Sequence, residues 1–506
     1  MHKLFALLAL VAVSASAAPP TSPTTEQAAV LAHVSTDSLR GHLSFLASDL
    51  LEGRGSPSRG LDVAAEYIAA QYRRAGLEPM GDDGYFQTAN WHWVEPNLAG
   101  FSFSLRHGQQ AMALPPTQLS FKPGAALDVR GAAVFKADWN DLGELDALGA
   151  AVAGKVVMLE LPIGKPRTQE EYEAIMGKRK AALARIFALK PLLVLALDRN
   201  KPAGDGGGRG QLVDPAQAPA SPGAYLAVHG DVATQLFNAL PAGQTGATLD
   251  LALGAAITKP VKLRNVAALL RGSDPTLKDT YVILSAHYDH LGIRPDMPGD
   301  HIYNGANDNG SGTATVIEVA SAMAAMKTRP RRSVLFLNVF GEELGMLGSA
   351  YYGRHPLVPV ARTVANLNLE QLGRTDGKDG SGAGKAQLTG FDFSNLPATM
   401  AAAGAATGIV VHKDPLLSDQ YFAQSDNVAM ARLGVPAHTL SVLYEFSDYH
   451  KVGDHWQKID FDNLAKVNRM VALGVMMLAN DTAAPRWNEA LPAVAPYLKA
   501  HEALTR

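Results

Sequence analysis

The sequence predicts an α/β protein: a mostly parallel mixed sheet sandwiched by helices, interrupted by an inserted β-rich domain. Three observations carry this expectation. From about Val261 onward, short apolar runs of strand length alternate with helical stretches. Residues 98–260 break that rhythm with short strand-like runs among Pro- and Gly-rich segments. The chain has 506 residues, enough for two or three domains.

Taken in order, residues 1–18 read as a secretory signal peptide. Met1-His2-Lys3 precedes the apolar run Leu4–Val13, and Ser14-Ala15-Ser16-Ala17-Ala18 supplies small residues suited to cleavage near Ala17 or Ala18. That run is too short for a stable membrane anchor. The mature chain is expected to be secreted or periplasmic, with no anchor. Pro19–Glu26 is a polar spacer. Gly53-Arg54-Gly55-Ser56-Pro57 lacks the Lys-Ser/Thr of a phosphate loop and reads as a surface turn. Leu61, Ala64, Ala65, Ile68, Ala69 and Tyr72 fall at helical spacing and predict a helix over Leu61–Gly76, with Gly76 at its C-terminal cap.

In the insert, Ala132–Phe135, Lys155–Leu161 and Leu192–Leu197 read as strands, and Lys201–Gly223 as a flexible loop. No catalytic cluster is expected there. Beyond it, strands are predicted at Tyr281–Ala286, Ser333–Phe340, Val364–Leu369 and Ala437–Val442, and helices at Gly312–Lys327 and Asp462–Asn480. In such sheets functional residues gather beyond the carboxyl ends of strands.

Composition narrows the chemistry. Lys plus Arg is 45 against 48 for Asp plus Glu, a net charge of −3, which argues against a nucleic-acid partner. Cysteine is absent, so thiol nucleophiles and Cys-bound zinc are excluded. A metal site must use His and carboxylates, and 15 His are available.

Five candidates sit at strand ends or in adjacent loops. His287-Tyr288-Asp289 follows a strand and has the spacing of a metal ligand with a supporting carboxylate. The same spacing recurs in His412-Lys413-Asp414, with no comparable strand before it. Asp308 lies in Asn307-Asp308-Asn309-Gly310-Ser311-Gly312, which also suits a turn and helix N-cap. Glu342-Glu343 follows a very apolar strand, where adjacent carboxylates are costly without cations. Glu170-Glu171, by contrast, fits a solvated helix face. Glu370 ends a strand and could simply pair with Arg374, and His450 could be a surface-loop histidine. Together, His287, Asp308, Glu343, Glu370 and His450 fit two zinc ions sharing a bridging carboxylate, with Glu342 left as general base.

At this point the chain resembles the M28 family of zinc metallopeptidases. The motifs are Ser285-Ala286-His287-Tyr288-Asp289-His290-Leu291-Gly292, Asn304–Gly312, and Gly341-Glu342-Glu343-Leu344-Gly345-Met346-Leu347-Gly348-Ser349. Asn368–Arg374, Ser425-Asp426-Asn427 and Asp448–Asp454 continue the match. The resemblance covers roughly 260–480 and the piece around Leu46 to Pro79. It implies that His287 and Glu370 hold one zinc, Glu343 and His450 the other, and that Asp308 bridges them. Asp289 would orient His287, and Glu342 would be the general base. Many members have Asp at the Glu370 position and His at that of Asn427; the second departure bears on specificity.

The implied organisation is a signal peptide (1–18), the N-terminal part of the peptidase domain (19–97), a protease-associated-like insert (98–260), the zinc peptidase domain (261–480) and a C-terminal helical tail (481–506). The implied activity is that of an aminopeptidase acting on peptides with two zinc ions per chain. A carboxypeptidase or dipeptidase is the alternative. It would want a cationic group such as Arg374 or Lys451. Glutaminyl cyclases share the fold but use one zinc, and non-catalytic relatives lose ligands that this chain keeps.

Overall fold

The computed structural model describes residues 23–121, 125–137, 151–161, 169–199, 210–217, 223–295, 297–377 and 380–505. The segment 1–18, read as a signal peptide, and much of the Lys201–Gly223 stretch lie outside them.

Two long strands, β1 (Phe86–His107) and β2 (Gly243–Leu270), pair antiparallel from Val266–Phe86 to Thr248–Arg106. Four more strands form the centre of the sheet: β3 (Tyr281–His287), β4 (Ser333–Val339), β5 (Thr363–Leu369) and β6 (Ala437–Ser441). Their order is β6-β5-β3-β4-β2. β4, β3, β5 and β6 are mutually parallel, whereas β2 meets β4 antiparallel. The observed bounds match the predicted runs to within a residue. These strands read as continuous apolar runs because both faces are covered: β4 is buried along its whole length.

One face is covered by α1 (Thr36–Leu46), α2 (Arg59–Arg74), α3 (Gly312–Ala324) and α4 (Phe461–Asn480). Leu43, Ile68, Val316 and Val471 pack there against Leu284, Phe336 and Leu367. The opposite face buries Ile283, Leu335, Leu337 and Tyr352 with Phe422 and Trp487. The Ser58 hydroxyl caps α2 by accepting from the Leu61 amide, so the helix starts earlier than the apolar spacing indicated. Residues Ala495–Thr505 form the C-terminal helix.

The insert differs from expectation in two respects. Its strands Leu127–Lys136, Val156–Glu160, Leu193–Leu197 and Tyr225–Val228 are parallel, and the helices Gln169–Ala188 and Asp231–Ala239 accompany them. It is therefore itself α/β rather than simply β-rich. Its expected edges, 97/98 and 260/261, fall inside β1 and β2. β2 places Leu263 and Val266 in the core under α2, and Leu249 and Leu251 in a separate core of the insert. A continuous ribbon, not a linker, joins the two parts. Among the described residues, no helix is long and apolar enough to cross a membrane.

Candidate active site

Because β3, β4, β5 and β6 are parallel, their carboxyl ends share one edge of the sheet, and the candidate residues meet there. His287 is the last residue of β3. Gly341, at φ +68°, turns the chain after β4 and presents Glu342 and Glu343. Glu370 directly follows β5, and His450 lies in the loop after β6. Asp308 comes from the loop that enters α3. That loop begins at Gly305, φ +59°, where a Cβ would sit 2.4 Å from the Asp308 carbonyl oxygen and 2.4 Å from the His290 ring.

The Asp308 carboxylate stands between two groups. Its Oδ1 is 3.5 Å from His287 Nε2, which is 3.9 Å from Glu370 Oε1. Its Oδ2 is 3.2 Å from His450 Nε2, which is 3.2 Å from Glu343 Oε2. A tetrahedral zinc with donors about 2.1 Å away has donor–donor edges of about 3.4 Å, so these separations suit such an ion. His287 Nε2 and Asp308 Oδ2 are buried and lack hydrogen-bond partners, as unfilled ligand atoms would be. The donor set, imidazole and carboxylate without sulfur, also suits zinc.

The surroundings orient these donors. His287 Nδ1 lies 3.2 Å from the Asp289 carbonyl oxygen and 3.5 Å from its Oδ1, which points Nε2 at Asp308. Asp289 Oδ1 also accepts from the Glu342 amide at 3.1 Å. The Ser425 hydroxyl, held at 2.9 Å by the Asn368 amide, donates to Glu370. Asn307 Oδ1 accepts from the Gly373 and Arg374 amides, and Asn309 Nδ2 donates to the Leu369 carbonyl, so the Asp308 loop is stitched to the Glu370 loop. The Tyr449 ring stacks on His450 at 4.0 Å.

The charges are strongly coupled. Burial raises Glu342 well above the usual carboxylate range, with His287 opposing. Burial likewise pushes Glu370 up to about 8. Burial also acts on Asp308 and Glu343, but the histidines beside them outweigh it and hold both below their ordinary values. Burial disfavours charge on His450, yet Asp308 and Glu343 raise it to about 10.

Some residues stand elsewhere than their sequence context indicated. His290, within the His287 motif but given no role, is buried with Nδ1 2.7 Å from Glu343 Oε1 and 3.9 Å from Asp308 Oδ2. Its donor atom groups with those of Asp308 and Glu343 within 4.8 Å. The signal was its place three residues after His287. Arg54, expected in a surface turn, is 1% exposed. Arg374 pairs with Asp376 and Asp448, not Glu370. Asn427 is buried, donating to the Phe422 carbonyl and accepting from Thr439, so it is spent on packing. His412 does end a short strand, Val410–His412, at the far edge of the sheet, outside this cluster.

Residues 265–475 match the description of peptidase family M28. Sequence relatives include a probable zinc metalloprotease of Pyricularia oryzae, 34% identical over 130 residues, which are 24% of this chain and 24% of that protein. Aminopeptidase YwaD of Bacillus subtilis is 34% identical over 93 residues, 18% of each chain. The chain thus spans about a quarter or less of the length of these curated relatives. Among solved structures, an aminopeptidase from Aneurinibacillus sp. strain AM-1 superposes with a TM-score of 0.61 at 18% identity, covering 92% of this chain and 97% of the other. A zinc aminopeptidase from Bacillus subtilis gives 0.51 at 18% identity, covering 89% and 97%. The fold is therefore shared over nearly the whole chain, and residues 265–475, somewhat less than half of it, match peptidase family M28.

Proposed function

We propose that this chain is an exported aminopeptidase that removes N-terminal residues from peptides with two zinc ions. The observation that carries the reading is the Asp308 carboxylate, whose two oxygens each face a His–carboxylate pair: His287 with Glu370, and His450 with Glu343. Those five residues would hold the metal. Zinc bound there supplies Lewis acidity, polarising the scissile carbonyl and acidifying water. Glu342 is the general base: it takes the proton of the attacking water and returns it to the leaving amine. Its burial-raised affinity for a proton suits that shuttle. Asp289 holds His287 in the tautomer that leaves Nε2 free and fixes the Glu342 backbone.

The arginine favours an aminopeptidase over a carboxypeptidase. Of the two cations a C-terminal carboxylate could use, Arg374 is 3% exposed with its guanidinium spent on Asp376 and Asp448, which leaves only the exposed Lys451, whose Nζ donates to the Ser447 carbonyl. The carboxylate-rich edge suits a substrate's free amine instead. Residues 98–260 would act on substrate access or stability and supply no catalytic atom. Export rests on the 1–18 segment; N-terminal sequencing of exported protein should show cleavage near Ala17 or Ala18. The central test compares fluorogenic free-amine aminoacyl substrates, their N-blocked forms and C-terminal dipeptides. Turnover confined to the free-amine set, with two zinc ions per active chain, is the expected result. Preference for C-terminal dipeptides, or full activity with one zinc, would overturn it.

A further inference from the structure

Arg54 and Asp454 belong to no ligand pair, yet they grip the loop carrying Asp308 from two sides. Every hydrogen bond of the buried Arg54 side chain goes to a backbone carbonyl. Nε donates to Tyr288 at 2.7 Å, Nη1 to Asn304 at 2.7 Å and to Leu46, and Nη2 to Gly305 at 2.8 Å. One guanidinium thus joins the end of α1, the turn after β3 and the turn ahead of Asp308. None of these partners is a carboxylate, so the cation is buried without a direct ion pair, an expensive arrangement. Burial pulls its pKa down to about 10, and the field of Asp289, Asp454 and Asp308 opposes that, so it stays charged at neutral pH. Arg54 also sits at φ +49°, a left-handed conformation that costs a non-glycine residue free energy.

Asp454, which is fully buried, works from the opposite side. Its carboxylate accepts from the Asn307 amide at 3.0 Å to both oxygens and from the Asp308 amide at 3.1 Å. Its own carbonyl accepts from the Ala306 amide at 3.1 Å. The 304–308 backbone therefore turns carbonyls toward a buried cation and amides toward a buried anion. A packing role alone would not require a charged group on each side, nor one guanidinium reaching three separate segments.

We propose that Arg54 and Asp454 are positioning residues that hold the 304–308 backbone between opposite charges and so aim the Asp308 carboxylate at both halves of the zinc site. This rests on the dinuclear zinc reading. The test titrates metal-depleted protein with Co²⁺, following visible absorption, for wild type, Asp454→Asn, Arg54→Lys and Arg54→Met. Asp454→Asn and Arg54→Met should weaken cobalt binding by roughly 10–100-fold, the usual effect of losing a partner behind the ligands. They should also shift the cobalt absorption bands and lower kcat with little change in KM. Arg54→Lys keeps the charge but not the fork, and should recover part of the loss. Folded variants with wild-type cobalt affinity and spectrum would overturn the inference. If Arg54→Met does not fold, Asp454→Asn and Arg54→Lys decide by the same two readouts. Wild-type protein that binds no cobalt would remove the zinc reading itself, whereas wild-type binding shared unchanged by the variants removes only this inference.

Discussion

Glu342 and Glu343 are neighbours after one strand, but their surroundings separate them. Glu343 is in contact with His290 and His450, while the Glu342 amide is held by Asp289. Glu342→Gln keeps size and hydrogen bonding but removes the proposed base. Metal content and melting temperature should survive, and kcat should fall by roughly 10²–10⁴. Glu343→Gln should instead reduce the occupancy of one zinc and lower the melting temperature, since metal binding is coupled to folding. Metal analysis, thermal denaturation and kinetics on both variants check this; zinc loss from Glu342→Gln alone would mean swapped roles. His290 adds a second prediction. Its 2.7 Å contact fixes Glu343, so His290→Ala should weaken zinc binding by roughly 10–100-fold, readable by competition with a chelating dye. Unchanged affinity would make His290 a packing residue.

Among the elements, α3 matters most because its entry loop carries Asp308. Glu318, on α3, ties it to α1: one carboxylate oxygen accepts from the Ser35 amide at 3.0 Å, the other from the Ser38 hydroxyl at 2.6 Å, and His42 lies 3.7 Å away. With the Glu318 carboxylate buried, Glu318→Ala leaves these donors without an acceptor and should cost about 1–3 kcal/mol in denaturant unfolding, and Glu318→Gln, which keeps an acceptor, less. Equal losses would show that bulk, not polarity, joins the helices. The strands behind the site were legible because each is a short apolar run that both faces bury, and the five proposed ligands were singled out because each stands at the end of such a run or in a neighbouring loop. Arg54 was not legible. Flanked by glycines it has the composition of a turn, and its burial makes sense only once carbonyls from residues 288, 304 and 305 converge on it. The alternative that sequence proximity left open, a Glu370–Arg374 pair, is not formed, because Asp376 and Asp448, the latter from the loop after β6, take the guanidinium. The insert's edges were misplaced because β1 and β2 run through the change in composition without a break.

For the whole molecule, metal and pH should act on stability together. In the metal-free chain, burial pushes Glu370 up to about 8 and Glu342 well above its ordinary 4.5. Burial works against charge on His287 and His450, but neighbouring carboxylates win, raising His450 to about 10 and His287 well above 6.5. Between about pH 4.5 and 10 the folded metal-free chain therefore holds more protons than the unfolded one, and its stability falls as pH rises. Asp308 and Glu343, with lowered pKa values, act in the opposite sense, but only below their ordinary carboxylate range. His438 also runs the other way: burial lowers it to about 4, so its neutral ring, held by Ser394 and Thr389, loses stability as pH falls from about 6.5 towards 4. That effect is common to both forms and cancels in their difference. Zinc held by the proposed ligands would replace the site protons, because ligands bind it deprotonated, and at a hundred times Kd it would add about 2.7 kcal/mol for each site filled. Melting temperatures measured from pH 5 to about 9, with zinc and with a chelator, should show the chelated form declining as pH rises. The gap between the two should widen in the same direction. A gap that stays constant or narrows would mean that the clustered carboxylates and histidines are not held protonated in the metal-free fold, and that zinc does not take the place of those protons.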